Sequence, residues 1–241
     1  MKETAFQYEI QIDSERNLIL LPKGNQKTEF TMIFLHGLAM DPVDFLPLFM
    51  QSPVQQHLSK FKIVMPCAPM RSVSYNKKQM KSWFDIKTYE NSFTRPFQEA
   101  FSKEEVEESL KIIKKFIDLE LKELNNDASK LIIAGFSQGC AMTQHIQHTL
   151  KDIKFGGVLG IAGYLFDITE FTEERVKEIP TTILHGIQDK RRTWSEVKKS
   201  YERKGINAEK LVTLVDDMAH DFSSYQCKQH IAKFYSQYSK L

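Results

Sequence analysis

The 241-residue sequence has no apolar run near the roughly 18 residues a membrane-spanning helix needs. Its first residues, MKETAFQYEIQIDSE, lack the apolar core of a secretory signal, so export is not expected. Cysteine is scarce. Cys67, Cys140 and Cys227 are an odd count with no close pairing, which does not read as a disulfide framework. A charge excess is also missing: 33 Lys and Arg face 31 Asp and Glu, a formal net charge of +2. A dedicated nucleic-acid binder would carry a strong basic excess, so no nucleic-acid partner is expected. No repeat, low-complexity tract or Pro/Gly/Ser-rich linker divides the chain. No G-x-G-x-x-G follows an apolar run, which removes the basis for a dehydrogenase. The H-x-x-H pair His145 and His148 is too little for a metal site. Neither metal nor cofactor is expected. What remains is a soluble protein of a reducing compartment, the cytoplasm, folding as a single domain over residues 1–241.

What is present is a series of short apolar runs, each leading into a polar loop. Residues 5–21 alternate around a polar turn and predict a β-hairpin. Then come Thr31–Leu35, Phe61–Met65, Leu131–Ala134, Gly157–Ile161, Thr181–Leu184 and Leu211–Val215. Continuous apolar runs of this length suggest strands buried on both faces. Helical patterns separate them. Over 103–124, Val106, Leu110, Ile113, Ile117, Leu121 and Leu124 recur at steps of three or four, and Ser102 with Glu105 predicts a capping box. Further helices are expected at 138–150, 194–204 and 222–238. Alternating strands and helices predict an α/β fold, a mostly parallel sheet with helices on both faces. Ligand sites of such sheets lie at the carboxyl ends of the strands. The stretch from Pro66 to Lys87 is long for a structureless connection and so is expected to be functional.

Leu131 to Gly139 reads LIIAGFSQG, an apolar strand running through G-x-S-x-G into a helix. That is the context of a nucleophile elbow, in which Ser137 sits on a sharp turn with its hydroxyl exposed. In the α/β-hydrolase order the acid and then the histidine follow the serine. His145 and His148 fall within the next helix, on an expected solvated face, and His230 also lies mid-helix. His185, before Gly186, is expected to shape a turn. His220 lies in the loop after the last strand, where the general base belongs. Asp189 follows Thr181–Leu184 closely and is the candidate acid. Asp217 is a distant second, and pairing with Lys190, Arg191 or Arg192 is the plain alternative for Asp189. Oxyanion donors are expected from the N–H groups of Leu38, after the Thr31–Leu35 strand, and Gln138. His36 is expected to be structural.

With those residues in hand, the sequence resembles the acyl-protein thioesterase and lysophospholipase family, the phospholipase/carboxylesterase family of α/β-hydrolases. Four signatures carry the likeness: FLHGL at Phe34–Leu38, the loop from Ala68-Pro69 to SWFDI at Ser82–Ile86, GFSQG at Gly135–Gly139, and HG-x-x-D at His185–Asp189. Three departures stand out. The family usually reads GFSQGG, where this chain has Cys140. It normally reads HGLGD-x-G, where His36-Gly37-Leu38 continues as Ala39-Met40-Asp41. Its frequent Val-Pro step after the acid is here Lys190-Arg191-Arg192-Thr193. The resemblance implies a serine hydrolase of acyl thioesters or esters with Ser137, His220 and Asp189 as its triad. Its substrates would be S-acylated proteins or lysophospholipid and other esters, and it would be a monomer or weak homodimer.

Chain selectivity is assigned to the 66–86 loop, with Met70, Val73, Met80 and Trp83 as substrate-binding candidates. Ordinary packing is the competing reading for them, above all for Trp83 and Phe84. Arg71, Lys77, Lys78 and Lys81 could favour an anionic membrane surface, or form a solvated charged face. Cys140 is either a site of oxidation or a packed small residue. The alternatives to a depalmitoylating enzyme are an esterase of small esters or lysolipids, and a silent binding protein of the same fold.

Overall fold

A computed structural model describes residues 8–23 and 28–239. Ten strands run in chain order: β1 (Tyr8–Ile12), β2 (Leu18–Pro22), β3 (Phe30–Leu35), β4 (Phe61–Met65), β5 (Met70–Val73), β6 (Lys78–Lys81), β7 (Leu131–Phe136), β8 (Gly157–Ile161), β9 (Thr181–Gly186) and β10 (Val212–Val215). The helices are α1 (Leu46–Met50), α2 (Phe97–Ala100), α3 (Lys103–Glu123), α4 (Gln138–Thr149), α5 (Glu173–Glu178), α6 (Trp194–Glu202), α7 (Ala208–Leu211) and α8 (Tyr225–Ser236). Eight strands form one sheet in the order β1-β2-β4-β3-β7-β8-β9-β10. Only β1 with β2 and β2 with β4 are antiparallel; every other pair is parallel. This is the α/β-hydrolase fold. The hairpin predicted over 5–21 is β1–β2, and its residues 5–7 lie outside the described residues.

The continuous apolar runs follow from burial on two sides. In β3, Ile33 and Leu35 join the core on one face while Met32 and Phe34 join the core on the other. In β7, Leu131 and Ile133 divide from Ile132 and Ala134 in the same way. Val106, Ile113 and Ile117 of α3 close the first face, with Leu110, Leu121 and Leu124 at their margin. Phe45, Leu48 and Phe49, together with Ile231, Phe234 and Tyr235 of α8, close the second.

Four expectations need correction. The capping box of α3 is half-formed. Ser102 Oγ accepts from Glu105 N at 3.3 Å, but the Glu105 carboxylate accepts from Asp85 N at 2.5 Å instead. The 66–87 stretch carries structure of its own, since β5 and β6 pair within it as an antiparallel hairpin. Leu211 ends α7 rather than opening β10, and Ser224 caps α8 so that the helix begins at Tyr225. His145 and His148 do not face solvent. Helix α4 is covered on all sides, and every residue from Gln138 to His148 is buried. His145 Nδ1 meets Thr169 Oγ1 at 2.9 Å, and His148 Nδ1 accepts from Thr172 N at 3.4 Å. Burial lowers both imidazoles to pKa values of about 4.

The topology sets where a site can form. From β3 the chain moves outward to β4, then returns to the other side of β3 as β7. The strand order therefore reverses between β3 and β7, a switch point at which a crevice opens beyond the carboxyl ends. The loops after β3, β7, β8, β9 and β10 all emerge at that edge.

Candidate active site

Ser137 stands between β7 and α4 with φ 53° and ψ −113°. A non-glycine residue held there costs on the order of 1–3 kcal/mol, which the surroundings must offset. The Ser137 N–H donates to Ile161 O at 2.8 Å and its carbonyl accepts from Ala141 N at 3.1 Å. The two motif glycines allow α4 to lie against β7. A Cβ on Gly135 would come within 2.4 Å of the Gly139 backbone, and one on Gly139 within 2.0 Å of Leu35 O. No side chain fits at either position.

Ser137 Oγ lies 2.9 Å from His220 Nε2, and His220 Nδ1 lies 2.6 Å from Asp189 Oδ2. A carboxylate accepts, so Nδ1 carries the proton and Nε2 is free to accept from the serine. The other oxygen, Asp189 Oδ1, accepts from Arg191 N at 2.9 Å and Arg192 N at 2.8 Å. Burial alone would raise the Asp189 pKa. The His220 hydrogen bond and charge, with the Arg192 N–H, outweigh it and leave the carboxyl below its ordinary value. Asp189 is therefore a buried acceptor for His220 rather than half of a surface ion pair. Asp217 accepts from Gln226 N on α8 and stands outside this chain of bonds.

The other histidines of this edge are structural. His36 Nε2 accepts from Ala68 N at 2.9 Å and Nδ1 donates to Gly37 O at 2.8 Å, joining two loops. Burial lowers it to about 4. His185 Nε2 donates to Arg192 O at 2.9 Å, which fixes the turn that carries Asp189.

A cleft of about 690 Å³ opens over Ser137, within the range of roughly 300–1,000 Å³ for small-molecule sites. Leu38 and Gln138 line it. Gln138 opens α4, so its N–H has no acceptor within the helix. Leu38 N has none among the described backbone bonds. Of the four substrate-binding candidates, Met80 alone lines the cleft. Met70 points to solvent, 60% exposed. Val73 and Trp83 are buried, and Trp83 Nε1 donates to His36 O at 2.8 Å. A buried anchor cannot also face a substrate. Sequence reasoning missed the rest of the wall, including Asn76, Tyr89, Tyr164, Arg192 and Phe222. Tyr164 and Phe222 were findable, because they follow β8 and β10 at the carboxyl edge. Also missed was the Gln138 side chain. Its Oε1 accepts from Trp83 N at 2.9 Å and its Nε2 donates to Phe84 O at 2.7 Å. SWFDI and GFSQG are thus two halves of one joint.

The sequence matches the family model described as Phospholipase/Carboxylesterase over residues 19–238. The chain belongs to the phospholipase/carboxylesterase family. It is a serine hydrolase. Acyl-protein thioesterase 1 homolog 1 of Dictyostelium discoideum is 31% identical over 185 residues, covering 74% of this chain and 78% of that one. Acyl-protein thioesterase 1 of Yarrowia lipolytica is 31% identical over 164 residues, 66% and 69% of the two chains. The crystal structure of Zea mays acyl-protein thioesterase 2 has the same fold, with a TM-score of 0.67 at 18% identity over 93% of this chain and 99% of that one.

Two of the three departures from the family pattern have local explanations. Cys140 fills space that Gly160 and Gly163 leave open, since a Cβ on either would lie within 2.6 Å of its side chain. Cys140 is fully buried and packs as a small apolar residue, and burial pushes its thiol up to about 12, away from thiolate chemistry. The altered loop after Leu38 is pinned by Ala39 N to Lys81 O at 2.9 Å and by the Asp41–Lys81 ion pair. No group of three metal-ligating side chains occurs among the described residues.

Proposed function

We propose that this hydrolase removes acyl chains from S-acylated proteins through a Ser-His-Asp relay. The observation carrying the proposal is the unbroken chain from Ser137 Oγ through His220 to Asp189 at the base of a cleft. His220 Nε2 takes the Oγ proton as Ser137 attacks the thioester carbonyl. Asp189 holds the tautomer and stabilises the imidazolium. The N–H groups of Leu38 and Gln138 receive the oxyanion. Collapse expels the thiolate, which takes the proton from His220. Water then attacks the acyl-enzyme with His220 as base, and the free acid leaves. Leu38, Met40, Met80, Ile86 and Phe222 supply an apolar wall for the acyl chain. A thiol of pKa about 8.5 leaves more readily than an alcohol. Relatives named acyl-protein thioesterases support the substrate class.

Contact with a membrane surface belongs to the same proposal in reduced form. Arg71 pairs with Glu105 and Glu108, and Lys81 with Asp41, so only Lys77 and Lys78 of the four cations remain unpaired among the described residues. A second reading, an esterase of small esters or lysolipids, is favoured by the polar part of the cleft at Asn76, Arg191 and Arg192.

Turnover of an S-palmitoylated peptide and of a short aryl ester, by wild type and Ser137→Ala, separates these. The proposal expects both to be cleaved by wild type, and a loss of about 10⁴-fold or more in the variant. Cleavage of the aryl ester alone would leave the mechanism and replace the substrate. Equal rates for wild type and variant would remove Ser137 as nucleophile.

A further inference from the structure

Arg192 is 5% exposed, yet among the described residues its guanidinium pairs with no carboxylate. Buried arginines are almost always paired, because taking the charge out of water is costly. Here aromatic rings and the Tyr89 hydroxyl stand in for a partner. The guanidinium carbon lies 3.7 Å from the Tyr89 ring centroid and 5.5 Å from those of Phe93 and Tyr164. Ring faces attract the charge but accept little from its N–H donors, and Arg192 Nη2 has no hydrogen-bond acceptor.

Of the other buried atoms that share that condition, two belong to residues of the same cleft, Tyr164 Oη and Asn76 Oδ1. The three residues come from three separate loops, and all line the cleft above Ser137. Buried polar groups are normally satisfied. Three residues with unsatisfied polar atoms thus stand in the wall of one cavity. The donors among them suit an anion. Arg192 and Tyr164 offer N–H and O–H donors, and the Asn76 amide presents its NH₂ when its two ends interchange. Arg191 adds a second cation to the wall. Asp221 is the one carboxylate among the lining residues, and it accepts from Ser223 N and Ser223 Oγ, both at 2.9 Å, within its own turn.

We propose that Arg192, with Tyr164 and Asn76, forms an anion-binding subsite of the cleft, so that the preferred substrate carries a carboxylate or phosphate besides its scissile ester or thioester. A guanidinium fork suits either anion. The inference rests on the reading of Ser137 as nucleophile, because it makes the anion part of the substrate. The Arg192 backbone N–H bonds Asp189 at 2.8 Å, so the subsite is built on the segment that orients His220.

Two substrate pairs locate the charge. A 4-nitrophenyl hemiglutarate against 4-nitrophenyl pentanoate puts it in the acyl group. Lysophosphatidate against monoacylglycerol of equal chain puts it in the leaving group. Wild type is expected to favour the anionic member of one pair by about tenfold or more in kcat/KM, mostly through KM. Arg192→Gln should bring that ratio near one and Arg192→Lys should keep part of it. Tyr164→Phe, which keeps the ring and removes the orphan hydroxyl, should lower it, and decides the matter if Arg192→Gln does not fold. Equal kcat/KM within both pairs for wild type overturns the subsite. Calorimetric titration of Ser137→Ala protein with glutarate and with inorganic phosphate reads the subsite without catalysis. Saturable binding lost in the Ser137→Ala, Arg192→Gln double variant supports it even if no ester is turned over, the result that would defeat the hydrolytic reading alone. No saturable binding of either anion by a protein that turns over no ester overturns it as well.

Discussion

The elbow at Ser137 meets the segment just after the β5–β6 hairpin at the Gln138 side chain, and elbow and hairpin are held by different forces. Around the elbow, backbone touches backbone: Gly135 lies on Gly139, Gly139 on Leu35 O, and Ser137 N bonds Ile161 O. The hairpin is tied by side chains. Lys81 pairs with Asp41, Arg71 with Glu105 and Glu108, and Ser74 N and Oγ donate to Asp85 at 2.7 and 2.5 Å. Close-packed backbone leaves no volume to vary, whereas partly solvated polar ties can be exchanged one at a time. The geometry at Ser137 is therefore the rigid property of this molecule, and the wall opposite it is the adjustable one.

Gly139→Ala should break the elbow side most completely. With Leu35 O only 2.0 Å from the new Cβ, the β7–α4 contact must open. A loss of about 4 kcal/mol or more is expected in denaturant melts. A near-native midpoint would refute the packing argument.

Acid should act next, and on the same side. His36, His145 and His148 are buried and neutral, with pKa values lowered to about 4. Unfolded histidine titrates near 6.5, so below that pH the unfolded chain binds more protons. Their stabilising contribution is complete above about pH 6.5 and is lost as pH falls toward 4. At pH 5 the loss is about 2 kcal/mol per imidazole. Unfolding free energies that stay level between pH 7 and pH 5 would contradict it.

Gln138→Ala tests the joint between the two regions. It leaves Trp83 N buried without a partner and Phe84 O with only Ser82 Oγ, at a cost of about 1–3 kcal/mol. Hydrogen exchange should quicken at Ser82–Ile86 before it does in β7, and exchange unchanged at both would separate the two regions after all. The smallest effect belongs to the hairpin alone. Lys81→Ala removes a partly exposed ion pair worth about 1 kcal/mol or less. It should shift acyl-length preference on a series of aryl esters while labelling by a fluorophosphonate keeps its rate. A collapse of labelling would show that the hairpin tie also supports the elbow.

Much of this was legible from residues. Apolar runs marked the strands because both sheet faces are covered, and G-x-S-x-G after a strand marked Ser137 because few residues tolerate that turn. Chain order and position after a strand singled out Asp189 and His220, and the structure brings the two side chains within 2.6 Å. Burial was not legible. Helix periodicity names faces without saying what covers them, so it points His145 and His148 to solvent, and α4 is covered on every side. An apolar residue in a long loop looks available to substrate, as Val73 and Trp83 do in the sequence, whereas both are buried and Trp83 is bonded to His36 O.

By itself, then, the sequence determined the sheet, the elbow and the order of Ser137, Asp189 and His220, since these depend on local periodicity, turn sterics and position along the chain. Only the tertiary structure decided which side chains reach the cleft, which cations are paired, and that the Arg192 charge lies buried among rings without an acid. Those are contacts between segments far apart in sequence, and burial and charge compensation exist only once such segments meet.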